Sequence, residues 1–259
     1  MIQIYPGAEP FYFTGNSEIA ILFIHGFTAS PSEIYQVGRM VHEKTNATVS
    51  GILLPGHGSH PRFLNRTDWQ EWYASVADET AYLLKNYEEV YIAGLSLGGL
   101  LAINAGLNFN NLRGVIAINP PLKLKFPIAQ MLAPLLKGMI PYVPKPKGEH
   151  NKLWGLGRFA YDKIPLRAFC SLMQLQDKIL QDLENLDSPL LLIQSLADET
   201  VNYKGIYEVK SRMKTPVSLV ELEDLSHVVT IGNSASLVAG HILDFIRNGD
   251  NIEKEDFDE

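Results

Sequence analysis

Three residue types that cooperate in nucleophilic catalysis occur along this chain: a serine in Gly94-Leu95-Ser96-Leu97-Gly98-Gly99, a carboxylate in Ser195-Leu196-Ala197-Asp198-Glu199, and a histidine in Leu225-Ser226-His227-Val228. A serine hydroxyl is a weak nucleophile near neutral pH. It needs a general base, and the base needs a carboxylate to orient its ring and stabilise its cation. Gly94 and Gly98 flank Ser96 at the spacing of a sharp strand-to-helix turn, where the serine backbone is strained and only residues without a Cβ fit on either side. The strain lifts the hydroxyl clear of the sheet, and the N–H groups at the start of the following helix favour negative charge beside it. Chance also produces short Gly/Ser patterns, so the flanking elements decide between an ordinary turn and a nucleophile.

Those elements fit. Residues 90–94 read as a strand and 98–107 as a helix, which makes Ser96 the candidate nucleophile. Where such a turn occurs, the acid and then the histidine follow in chain order. Asp198 follows the strand-like run 190–194, and His227 follows the run 217–221 and precedes the final helix. Both loops then open at the sheet edge where ligands bind in open α/β sheets. Glu199 and Asp224 are alternative acids. The longer Glu199 side chain would need a different loop position, and Asp224 lies in the wrong loop for the usual arrangement, so Asp198 is preferred. His227 itself has the bland alternative of a core or surface histidine, since the chain has 7 His.

Acyl transfer also requires an oxyanion hole, worth about 3 kcal/mol per donor. One donor is the backbone N–H of Leu97, directly after the nucleophile. The other is the N–H of Phe27 in His25-Gly26-Phe27-Thr28, where Gly26 permits close backbone approach. His25 reads as a loop-fixing hydrogen-bond partner rather than a second base.

The remaining chain alternates strands and helices. The wholly apolar run 19–24 has the pattern of a strand buried on both faces, and 47–53 and 114–118 are further candidates. Helical stretches cover 31–43, with Ser30 as a possible cap and Pro31 at its first position, then 68–86 with Asp68 as N-cap, 203–213 and 234–247. This alternation implies βαβ units: an α/β fold with a mostly parallel sheet and helices on both faces. Residues 120–186 interrupt it and are too long for a crossover loop, so they read as a small inserted cap containing a helix at 166–183. The expected organisation is a core of 1–119 and 187–248, a cap of 120–186, and an acidic, disordered tail of 249–259.

Composition narrows the partners. The chain has 259 residues and is 46% hydrophobic, enough for one α/β domain with its own core. A net charge of -7 argues against nucleic acid and anionic membrane surfaces. The apolar stretch 126–143 is broken by Pro127, Pro134, Lys137, Gly138 and Pro141, so no integral membrane association is expected. Its aromatic and Met content suggests lipid contact, though cap packing is the simpler account. The N-terminus has no signal-peptide pattern, and the single Cys170, a small buried apolar residue, rules out an intrachain disulfide; both fit a cytoplasmic location. His57 and His60, with His25, lack a cysteine or carboxylate at ligand spacing, so no metal site is expected.

Together, His25-Gly26-Phe27-Thr28, Leu54-Pro55-Gly56-His57-Gly58, Asp68-Trp69, the Ser96 turn, Asp198 and Ser226-His227-Val228 resemble the α/β-hydrolase superfamily. They are most similar to its small bacterial carboxylesterases and monoacylglycerol lipases. The resemblance runs from about Pro10 to Arg247. It implies hydrolysis of a small-molecule or lipid-like ester through an acyl-serine intermediate, without metal or cofactor, and a small cap whose apolar inner wall receives the acyl chain. The 120–186 insertion matches that cap in place but aligns with no specific cap sequence. Other Ser-His-Asp chemistry, such as that of a thioesterase, amidase, acyltransferase, C–C hydrolase or perhydrolase, uses the same scaffold. A non-catalytic binding protein would show loss of the serine, acid or histidine, and all of them are present. The oligomeric state is not legible.

Overall fold

The computed structural model describes residues 3–145 and 153–248. The acidic tail expected at 249–259 lies outside them. The sheet is built from β1 (Phe11–Phe13), β2 (Ile19–Ile24), β3 (Thr48–Ile52), β4 (Glu89–Leu95), β5 (Gly114–Ile118), and, after an excursion, β8 (Leu190–Ser195) and β9 (Val217–Leu222). These form one seven-stranded sheet in the order β1-β3-β2-β4-β5-β8-β9, parallel throughout except for the antiparallel β1. The apolar runs of the sequence are its central strands, extended or trimmed by a residue or so at their ends. β1 escaped the sequence reading because it is only 3 residues long and partly exposed.

Period-2 alternation makes the two faces of the sheet. Ala20, Leu22 and Ile24 of β2 point to one side with Val90 and Ile92 of β4, while Ile21 and Phe23 point to the other with Tyr91, Ala93 and Leu95. The first face is covered by α3 (Trp69–Asn86) and α4 (Leu97–Gly106), the second by α1 (Tyr35–Thr45) and α8 (Ala235–Arg247). Every residue of α4 is buried, the polar Asn104 among them, so the helix behind Ser96 is enclosed on all sides. α3 starts on the Asp68 cap. Asp68 Oδ1 accepts the Glu71 N–H at 3.0 Å, and Glu71 Oε2 accepts the Asp68 N–H at 3.0 Å, a reciprocal capping box. The helix expected at 31–43 instead begins as a 3-10 turn, Pro31–Glu33, and α1 follows from Tyr35. Ser30 makes no side-chain cap bond; its hydroxyl pairs with Ser32 Oγ at 2.8 Å.

Beyond β3, a short α2 (Pro61–Leu64) carries the His60 side chain as its cap. The excursion between β5 and β8 holds α5 (Pro127–Leu136), the antiparallel pair β6 (Tyr142–Pro144) and β7 (Lys163–Pro165), and α6 (Leu166–Asp182); α7 (Gly205–Arg212) lies between β8 and β9. α6 bridges two regions. Leu166 and Cys170 pack with Ala133 and Leu136 of α5, whereas Ala168, Leu172, Leu175 and Ile179 join the core on the α3–α4 face. Packing explains less of the apolar content of this excursion than the sequence suggests. Phe126, Met131, Leu135 and Met139, in and beside α5, are 66%, 74%, 74% and 82% exposed. No helix among the described residues is long and apolar enough to cross a membrane.

Candidate active site

Ser96 ends the turn from β4 into α4 with φ 56° and ψ -117°, a conformation that costs a non-glycine residue strain energy. The turn closes so tightly that a Cβ on Gly94 would lie 2.1 Å from the carbonyl carbon of Gly98. The Ser96 N–H donates to the Ile118 carbonyl at the end of β5, 2.8 Å away, which ties Ser96 to the neighbouring strand. Leu97 is the first helical residue, so its N–H has no intrahelical acceptor and stays available beside Ser96.

The loop after β2 approaches from the adjacent strand. A Cβ on Gly26 would lie 3.5 Å from Ser96 Cβ, so the backbone leading into Phe27 passes directly beside the serine. Two devices hold this loop. Buried His25 accepts the Leu54 N–H on Nε2 at 3.2 Å and contacts the Gly26 carbonyl through Nδ1 at 2.9 Å. Burial pulls its pKa down to about 4, against the smaller opposing pull of Gly26 and Glu33, so the ring is neutral. It fixes the loop, as its position in the sequence suggested. Second, Glu33 accepts the Gly26 N–H on Oε2 at 2.9 Å and the Arg158 guanidinium on Oε1 at 2.7 and 2.5 Å. Burial would raise the Glu33 carboxyl, but the Arg158 charge and the Gly26 N–H hold it below the usual carboxylate range. Thr28, with φ 64°, receives further bonds from the excursion: its carbonyl accepts the Tyr161 N–H at 2.8 Å, and its hydroxyl accepts from Lys145.

Asp198 and His227 meet. Asp198 Oδ2 lies 2.6 Å from His227 Nδ1, and Asp198 Oδ1 accepts the N–H groups of Thr200 at 2.7 Å and Val201 at 2.8 Å. Burial would raise the pKa of Asp198, which is 0% exposed, but the His227 hydrogen bond and charge and these two N–H groups bring it below its ordinary value. Burial would lower His227; the Asp198 hydrogen bond and charge, then Glu199 and Glu33, outweigh it and raise the imidazole. The alternative acids do other things. Glu199 Oε2 accepts the backbone N–H of His227 at 3.1 Å, and Asp224 sits exposed with φ 55° in the turn after β9. The other ring nitrogen of His227, Nε2, is the one turned away from Asp198. Among the described residues no hydrogen bond joins Ser96 Oγ to it, a common looseness before substrate arrives.

Asn119, which the sequence reading passed over, lies at the centre of this arrangement. It follows β5 directly, has φ 43° and is 0% exposed. Its Oδ1 accepts the Ser195 N–H at 2.7 Å, and its Nδ2 donates to Ser195 Oγ at 3.1 Å and to the His227 carbonyl at 2.7 Å. The sole local signal was an asparagine, tolerant of left-handed backbone, at a strand end; its partners are 76 and 108 residues away. Glu33 and Arg158, 125 residues apart, were equally silent. No group of three or more His, Cys, Asp or Glu side chains among the described residues could hold a metal ion. His57 is buried, its Nδ1 on the Pro55 carbonyl at 3.1 Å, and burial above all lowers it well below its ordinary value. A surface cleft of about 590 Å³ between Phe11, Tyr35, Arg39, Leu156 and Ile231 contains none of the site residues.

Known proteins resemble the chain over most of its length. The chain is 28% identical over 251 residues to a thermostable monoacylglycerol lipase of Bacillus sp. (strain H-257), covering 95% of this chain and 98% of that protein. It is 24% identical over 247 residues to a carboxylesterase of Bacillus subtilis (strain 168), covering 93% and 97%. Among solved structures, one from the metagenome-derived lipolytic enzymes LipS and LipT superposes with a TM-score of 0.85 at 27% identity, over 95% of this chain and 100% of that one. The monoacylglycerol lipase of Paleococcus ferrophilus shares the fold at 17% identity, with a TM-score of 0.79 over 96% and 100%. The family model described as "Alpha/beta hydrolase family" matches residues 21–239, which include the Ser96 turn, Asp198 and His227. With strand order, turn geometry and family model in agreement, the chain belongs to the alpha/beta hydrolase family.

Proposed function

We propose that the protein is a serine carboxylic-ester hydrolase in which Ser96, Asp198 and His227 are the catalytic triad and the Phe27 and Leu97 N–H groups form the oxyanion hole. The observation that carries this reading is the 2.6 Å contact between Asp198 and His227, made by residues 29 apart in sequence, at the same sheet edge as a serine held in a strained turn. Ser96 Oγ attacks the ester carbonyl while His227 takes its proton. Asp198 keeps Nδ1 protonated and stabilises the imidazolium. The two N–H groups bind the tetrahedral oxyanion, and His227 then protonates the departing alcohol. Water, activated by the same imidazole, releases the acid from the acyl-serine.

Carboxylic esters, including monoacylglycerols, are the substrate class supported by the two Bacillus relatives. The exposed apolar side of α5 favours lipid-like esters within that class. In this reading residues 120–186 are the cap over the site, with its helix α6 rooted in the core. A cytoplasmic setting is supported by the lone, buried Cys170, and the charge of -7 weighs against nucleic acid as a partner. The test is Ser96→Ala assayed on p-nitrophenyl esters and monoacylglycerols. Hydrolysis should fall by at least about 10³-fold with the fold intact; persistence near the original rate overturns the assignment.

A further inference from the structure

We propose that Asn119 is a positioning residue for ester hydrolysis: its carboxamide sets where His227 stands relative to Ser96. The proposal rests on the reading of Ser96 and His227 as nucleophile and base. One backbone corner, Ile118–Asn119, touches both. The Ile118 carbonyl accepts the Ser96 N–H at 2.8 Å, and Asn119 Nδ2 donates to the His227 carbonyl at 2.7 Å. Because Ser96 Oγ and the imidazole make no hydrogen bond to each other among the described residues, their relative placement depends on such anchors rather than on their own contact.

The same carboxamide also reaches the acid. Ser195, bonded to both its oxygen and its nitrogen, begins the loop that carries Asp198, and the Asp198 N–H returns to the Ser195 carbonyl at 3.4 Å. Both N–H bonds and the carbonyl of the Asn119 side chain are therefore engaged, in a site 0% exposed. A buried group satisfied in this way holds its partners stiffly. Glu199 Oε2, on an exposed side chain, also accepts the His227 N–H, at 3.1 Å. A left-handed φ of 43° restricts the position to residues that accept it, and asparagine alone among them supplies a donor pair and an acceptor together.

Two variants separate positioning from folding. Asn119→Gly keeps the backbone conformation and removes every side-chain bond; Asn119→Asp keeps the acceptor and the volume but loses the donor. With circular dichroism as the folding check, both should lower kcat on a p-nitrophenyl ester roughly 10- to 100-fold with KM little changed, because misplacement of about 1 Å suffices for such a loss. Fluorophosphonate labelling of Ser96 should slow in parallel. In Asn119→Asp the deficit relative to wild type should narrow as pH falls, because a protonated carboxyl regains a donor for the His227 carbonyl; a purely structural residue would show no such recovery. A folded Asn119→Gly with kcat and labelling within about 2-fold of wild type overturns the proposal. If that variant does not fold, wild-type kcat in Asn119→Asp at every pH overturns it. A wild-type protein that neither hydrolyses esters nor labels overturns the triad reading itself, and Asn119 with it.

Discussion

A Cβ placed on Gly98 would lie 2.1 Å from the carbonyl oxygen of Ile24, the last residue of the neighbouring strand. The start of α4 therefore rides directly on the end of β2, which brings the Leu97 N–H and the loop through Gly26 and Phe27 to the same place. Gly98→Ala should cost about 2–3 kcal/mol or more, since the obstacle is backbone and cannot rotate away. Gly240 in α8 has no atom within 4 Å of its virtual Cβ, so Gly240→Ala should be neutral or stabilising by about 0.4–1 kcal/mol. Urea denaturation of the two variants measures the contrast.

The Asp198–His227 pair makes activity and stability respond to pH in opposite directions. His227 must be neutral to accept the Ser96 proton, so kcat/KM should rise with pH through a value above 6.5. For stability, a raised imidazole contributes fully below its unfolded value of 6.5 and loses that contribution as pH climbs through the folded value. Asp198, held below 3.8, contributes above that value and loses it as pH falls through the folded one. Denaturant titrations of wild type and His227→Ala should therefore differ most between pH 3.8 and 6.5 and converge above it. A stability gap that widens from pH 6.5 upward would contradict this assignment of charges.

Removing Arg158 should be worse than removing the whole ion pair. Glu33 is 1% exposed, so Arg158→Met leaves a buried carboxylate without its counter-charge and should cost about 3–5 kcal/mol. The double substitution Glu33→Gln with Arg158→Met should recover much of that loss. A double-mutant cycle on thermal or urea unfolding reads the coupling, and additive effects would show that the pair is not coupled. Because Glu33 also holds the Gly26 N–H, kcat should fall in Arg158→Met beyond what the folded fraction explains.

Asp68→Ala removes the N-terminal cap of α3. It should destabilise the protein by about 1 kcal/mol and leave kcat on short esters unchanged. Calorimetry and a p-nitrophenyl acetate assay check both halves of the expectation.

Much of the site was legible in the sequence because its constraints are local. Gly94, Ser96 and Gly98 belong to one turn, and the apolar strands around it carry their own period. Asp68 sits one turn from its partner Glu71, so the cap too could be read directly. Asp198 and His227 could be ranked from loop order alone, and their meeting needed only the parallel strands to be adjacent, as β8 and β9 are. Other features could not be read this way. The split of 31–43 into a 3-10 turn and a helix follows from Glu33 being drawn inward to Gly26 and Arg158. β1 is too short for its pattern to register and exists because β3 offers it an edge.

Residue order by itself therefore determined the class of fold and singled out Ser96, Asp198 and His227 as candidates, because turn stereochemistry and strand burial are written over a few neighbouring positions. Tertiary structure alone decided which groups hold those partners still. Asn119 reaches His227 across 108 residues, and Arg158 reaches Glu33 across 125. The physical reason is that hydrogen bonds and charges act over a few ångströms in space, whereas sequence patterns report only what lies within a few residues along the chain.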